Sequence, residues 1–298
     1  MMNMGSNAIR GVAITLVASA PFLTSQARAQ SPAAASAQVG IVAQPCPPPL
    51  AVPAIVTAER QAGFAGKVQS PNAETVEPPE VTRWYDARAE RAKTDWANLC
   101  YYRAGNAALS RSPRPRVVLV GDSITEWWLD ADPAFFGRGM IDRGIASQTS
   151  QQILARFYQD VVELRPRAVH IMAGANDVAG NLGPSRARDV INNIAAMIDI
   201  AKENRIAVIL GSILPAADFE WSPGVAPAPK IAALNRDLRA LAIRRRVIFA
   251  DYHAAMVRSD GGMRAGISSD GVHPNRKGYA IMEPIASSAL KKALHAKQ

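Results

Sequence analysis

Arg116-Val117-Val118-Leu119-Val120-Gly121-Asp122-Ser123-Ile124-Thr125 decides the fold of this chain. Its apolar residues run without alternation and stop at a glycine, an aspartate and a serine. An unbroken run rich in valine suits a strand covered on both faces, and the polar stop suits a turn into a helix. Working outward, the same kind of run recurs at 140–145, 168–173, 206–213 and 247–250. Amphipathic stretches separate them. Ile153, Leu154, Phe157, Val161 and Leu164 share one helical face, and Val190, Ile191, Ile194, Met197, Ile198 and Ala201 share another. Residues 231–244 and 277–297 read as two more helices. Alternating strands and helices predict an α/β domain, a three-layer α/β/α sandwich around a five-stranded parallel sheet, whose ligands sit outside the carboxyl ends of the strands.

The polar clusters fall at those ends. Gly121-Asp122-Ser123 follows the first run, Arg143-Gly144-Ile145-Ala146-Ser147-Gln148-Thr149 spans the end of the second, and Gly174-Ala175-Asn176-Asp177 follows the third. Asp270-Gly271-Val272-His273 stands near the C-terminus. A serine hydroxyl attacks a carbonyl only when a base removes its proton and a third group fixes that base's tautomer. Asp270 and His273, three residues apart on a turn, supply that pair for Ser123. His170 sits inside a predicted strand and reads as a core residue, while His253 and His295 lack a comparably spaced acid. The backbone N–H of Ser123, a backbone N–H from the loop after the second run and the side-chain amide of Asn176 are the expected oxyanion donors. Metal chemistry finds no His-Glu-x-x-His and no Cys-x-x-Cys, so neither metal nor cofactor is expected. Trp127 and Trp128 carry two readings, lining of the leaving-group side or packing at the start of the first helix. Trp221 offers a surface on which a sugar ring stacks.

These blocks, in this order, resemble the SGNH hydrolases, also called GDSL esterases and lipases, over roughly residues 116–297. The resemblance implies a flavodoxin-like strand order of 2-1-3-4-5, ester hydrolysis through an acyl-serine and no metal. It implies Ser123 as nucleophile, His273 as base, Asp270 as its orienting acid and Asn176 as an oxyanion donor. Ser147 stands where the family usually has glycine. Its backbone still donates, but its side chain is expected to narrow the acyl pocket and favour short chains such as acetyl. The expected activity is removal of small acyl groups from a carbohydrate or another modest ester. The alternatives are an O-acyltransferase using the same triad, a lysophospholipase or lipase, and a non-catalytic binding module.

The N-terminal third reads differently. Arg10 precedes an apolar stretch at 11–23, and Ala27-Arg28-Ala29 offers a small-x-small cleavage pattern, so residues 1–29 read as a signal peptide cleaved after Ala29. The apolar stretch is short for a spanning helix, and stable membrane insertion is not expected. Export predicts that Cys46 and Cys100 meet an oxidising compartment and bridge, two free thiols being the alternative. Residues 30–80 read as an Ala/Pro-rich arm or linker, 81–112 as a helical extension and 113–298 as the hydrolase domain. Tyr85, Ala89, Ala92, Trp96 and Leu99 predict one helical face packed on that domain. The chain of 298 residues carries 34 Lys and Arg against 25 Asp and Glu, a net charge of +9 that is spread out. With no nucleic-acid motif beside Arg244-Arg245-Arg246, nucleic acid is not an expected partner. The sequence leaves the oligomeric state open.

Overall fold

The computed structural model describes residues 40–67, 77–109, 115–137 and 139–295. The expected leader at 1–29 lies outside the described residues, as do 30–39 and 68–76 of the arm. The strands are β1 (Val117–Gly121), β2 (Met140–Gly144), β3 (Ala168–Met172), β4 (Ala207–Gly211) and β5 (Ile248–Ala250). All pair in parallel, in the order β2-β1-β3-β4-β5, with Val117 opposite both Met140 and Ala168.

Helices α1 (Ala54–Phe64), α2 (Pro79–Ala92) and α3 (Arg103–Leu109) precede the sheet. Helices α4 (Ser123–Ala131) and α5 (Pro133–Phe136) follow β1, and α6 (Ser150–Phe157) follows β2. Helices α7 (Ala175–Ala179) and α8 (Ala187–Glu203) follow β3. Then come α9 (Pro227–Arg245), α10 (Tyr252–Met256) and α11 (Arg276–His295). Among the described residues no helix is long and apolar enough to cross a membrane.

Strand alternation divides the core. Val118 and Val120 of β1 join Ile153, Phe157, Ile194 and Leu238 on one face, whereas Val117 and Leu119 join Trp128, Tyr279 and Met282 on the other. Every β1 residue is buried, so the unalternating run reflects two covered faces rather than one. The carboxyl end of this strand is thereby fixed from both sides.

Two readings need correction. Helix α1 forms inside the stretch read as an arm. Phe64 is its one buried residue, so the apolar period that reveals a helix in sequence is almost absent. The stripe from Tyr85 to Leu99 is not a packed face: Val81 is the buried residue of α2, and Tyr85 and Trp96 are each 49% exposed. Helix α2 ends at Ala92, and beyond it the Asp95 carboxylate takes the N–H groups of Leu99 (2.7 Å) and Cys100 (2.9 Å), holding 95–100 in a turn. The stripe after β2 does pack, Ile153, Phe157, Val161 and Leu164 lying buried in one cluster, with the last turn, Tyr158–Val162, wound as a π-helix.

Candidate active site

Ser123 opens α4 directly after β1 and is buried, 7% exposed. Asp122 caps this helix by accepting from Ile124 N–H at 3.0 Å, while the N–H of Ser123, lying in the first turn, has no intrahelical acceptor. Burial pushes Asp122 up to about 6, against the pull of the Ile124 N–H and of His273.

The loop after β2 passes beside the serine. Gly144 permits this, because a Cβ there would collide with the backbone of Glu126 and Asp122. Ser147 adopts φ +70°, the left-handed conformation that glycine takes without cost. Glu126 accepts from Ala146 N–H at 2.7 Å and from the Tyr101 hydroxyl at 2.6 Å, so the segment before α3 steadies the residue next to Ser147. The Tyr102 hydroxyl lies 2.5 Å from the Gly144 carbonyl and 3.0 Å from Asp142 Oδ2. Burial raises Asp142 to about 7 despite its bond from Gly144 N–H.

Asn176 comes from α7, at the end of β3. One N–H of its amide donates to Gln148 O at 3.0 Å, its oxygen accepts from Asn181 at 2.9 Å, and its second N–H remains for a ligand. Beneath this loop Arg156, fully buried, donates to Gln148 Oε1 (2.6 Å), Asp160 (3.0 Å) and Gly121 O (3.0 Å). It thus joins the ends of β1 and the β2 loop through one rigid fork. Asp177 holds the N–H and hydroxyl of Ser150 at 2.8 and 2.6 Å, fixing the start of α6.

The third part is the turn before α11. Ser123 Oγ lies 2.9 Å from His273 Nε2, and His273 Nδ1 lies 2.6 Å from Asp270 Oδ2. The other Asp270 oxygen accepts from the N–H groups of Val272 (2.9 Å) and His273 (2.7 Å). Burial pushes Asp270 up, but the imidazole and these N–H groups outweigh it and hold the carboxyl well below the usual carboxylate range. The acid therefore stays ionised and orients the ring.

Ser123, Ser147, Asn176, Trp127, Trp221, Asp270 and His273 all line one cleft of about 550 Å³. Trp127 packs against the His273 ring, with centroids 4.2 Å apart. Trp128 does not reach the cleft. It is fully buried, stacked between Phe135 (4.8 Å) and Tyr279 (5.5 Å), because one residue along α4 turns the side chain from the site into the core. His170 is buried too, with Nε2 2.9 Å from the Tyr252 hydroxyl, and burial lowers it to about 4. Sequence reasoning passed over Glu126, Tyr101, Arg156 and the walls that α1 and α2 add. Only Glu126, one helical turn after Ser123, left a signal in the sequence, and it was local.

A parallel sheet carrying a hydrogen-bonded Ser-His-Asp series at its carboxyl end defines an ester-bond hydrolase. The GDSL-like Lipase/Acylhydrolase family model matches residues 119–281, and the chain belongs to that family. A Bacteroides fragilis protein assigned as an acylhydrolase is 44% identical, with TM-score 0.65, over 67% of this chain and 99% of that one. A GDSL-like lipase from Bacteroides thetaiotaomicron is 43% identical, with TM-score 0.64, over 66% of this chain and 99% of that one. Among curated proteins nothing matches.

Proposed function

We propose that this hydrolase is exported and removes short acyl groups from carbohydrates or other small esters, with Ser123, His273 and Asp270 as its triad. The observation that carries the reading is the pair of contacts on one imidazole, 2.9 Å to Ser123 Oγ and 2.6 Å to Asp270. His273 Nε2 takes the hydroxyl proton as Ser123 Oγ bonds to the substrate carbonyl carbon, and Asp270 stabilises the imidazolium. Negative charge gathers on the carbonyl oxygen, toward the N–H groups of Ser123 and Ser147 and the free N–H of Asn176. As the intermediate collapses, the imidazolium returns its proton to the departing alkoxide. Water, deprotonated by the same ring, then releases the acid and restores Ser123.

The preference for short chains rests on Ser147, whose side chain borders the cleft where the acyl group passes. Export is supported by the bridge between Cys46 and Cys100, since such bonds persist in oxidising compartments. The test is a series of p-nitrophenyl esters with wild type and Ser123→Ala. Acetyl and butyryl esters should be the better substrates, and turnover should fall by about 10⁴–10⁶ in the variant. A higher kcat/KM for the decanoyl ester would reject the acyl preference, and an active Ser123→Ala would reject the nucleophile. The base must be neutral to act, so kcat/KM should fall on acidification. A His273→Ala variant that keeps its turnover would reject His273 as the base.

A further inference from the structure

Helices α1 and α2 lie before the residues that the family model matches, and the two Bacteroides structures leave about a third of this chain without a counterpart. Both helices nevertheless border the cleft that contains Ser123. They are held there. Cys46 is bonded to Cys100, Arg60 bonds Asp130 of α4 at 3.0 Å and lies 5.1 Å over the Trp127 ring, and Phe64 meets Tyr279 edge to face at 6.4 Å. Arg91 of α2 donates to Pro48 O at 2.5 Å, tying that helix to the chain beside the bridge.

What these helices bring is aromatic surface. Trp84 and Tyr85, with ring centroids 5.0 Å apart, join Trp127 and Trp221 around the cleft, and the Trp221 ring lies 6.1 Å from that of His273. The charges lining the cleft are equal in number, Arg60, Lys67 and Arg88 against Glu59, Glu220 and Asp270, and Arg60 is also paired with Asp130 of α4. Arg88 itself lies over the Trp84 ring at 4.7 Å. Aromatic faces in a charge-balanced cleft match a ligand with flat C–H faces and an uncharged polar rim. A pyranose ring has that form: its axial C–H groups cover an indole or phenol face while its hydroxyls stay in water.

We propose that α1 and α2 form the leaving-group subsite of the enzyme, that it takes a neutral sugar ring, and that Trp84 and Tyr85 determine this specificity. The proposal rests on the esterase reading above and adds the class of alcohol released. It is tested by comparing kcat/KM for mono-O-acetyl cellobiose and for ethyl acetate, a ringless ester, followed by pH-stat titration. The wild type should prefer the sugar ester. In the Trp84→Ala/Tyr85→Ala double variant the ratio of the two kcat/KM values should fall by roughly tenfold or more, chiefly through KM for the sugar ester. Trp84→Phe, which keeps a ring, should hold the ratio within about threefold of wild type, and Tyr85→Ala alone, at an exposed position, should lower it without loss of fold.

Equal losses on both esters would overturn the subsite and leave α1 and α2 as structural support only. An unchanged ratio, or a wild type that cleaves ethyl acetate but ignores the sugar ester, would overturn it while leaving the esterase reading intact. A wild type inert to both esters would remove that underlying reading as well.

Discussion

The two halves of the proposed catalytic centre are held by different means. Ser123, Ser147 and Asn176 stand at strand ends, tied to one another through Gln148, Arg156 and Gly121 O in a buried network with the packed sheet beneath. Asp270 and His273 stand on a turn that makes its own bonds: Ser268 hydroxyl to His273 O at 2.7 Å, and Asp270 to the N–H groups of Val272 and His273. The proposed oxyanion half is fixed by long-range packing, the proposed base half by local hydrogen bonds. A substitution in the first half should therefore disturb stability and rate together. One in the second that leaves the backbone bonds of the turn in place should disturb chiefly the rate.

The largest effect should come from His273→Ala, expected to cost about 10⁴–10⁶ in kcat with a small change in Tm, because only the Nδ1–Asp270 bond of the turn involves the ring and the bonds to the backbone of His273 remain. A large fall in Tm would break the contrast. The Cys46–Cys100 bridge closes a loop with a sequence separation of 54, and its removal by paired Cys→Ala substitution should destabilise by about 4 kcal/mol in urea titration. Asn176→Ala should lower kcat by about 10²–10³. Unlike His273→Ala it should also lower Tm, since Gln148 O and Asn181 lose their partner. An unchanged Tm would place Asn176 with the locally held half.

Asp142 sharpens the point through pH. Burial raises it from 3.8 to about 7, so the folded chain binds this proton more tightly than the unfolded one. Its stabilising contribution is complete below the unfolded value and is lost as the pH climbs from about 4 to about 7. Asp142→Asn should flatten the decline in urea midpoint across that window, and an identical slope in the variant would exclude a shifted Asp142. Least of all, Ser147→Gly should stabilise by about 1 kcal/mol by relieving the left-handed serine. It should also raise the butyryl-to-acetyl ratio of kcat/KM. An unchanged ratio would mean that the Ser147 side chain does not meet the acyl group.

Local signals carried much of this site into the sequence. Ser123 follows a strand readable from four consecutive apolar residues, and Asp270 and His273 lie three residues apart on one turn, so each piece declares itself within a short window. Trp128 was ambiguous for the same reason. Its neighbour Trp127 faces the cleft, and only the crossing of α4 over Tyr279 and Phe135 shows which of the two indoles is core. Helix α1 left almost no trace, because its attachment depends on Arg60 and Phe64 meeting residues from α4 and α11 far along the chain.

By itself the sequence determined the sheet, its covering helices and the residue types of a serine esterase, since hydrophobic period and turn chemistry are short-range properties written residue by residue. Only the tertiary structure decided which tryptophan enters the cleft, that Arg156 and Glu126 brace the loop after β2, and that α1 and α2 wall the site. Those facts depend on contacts between residues distant in sequence, and a side chain's partner across such a distance is set by how the packed elements cross.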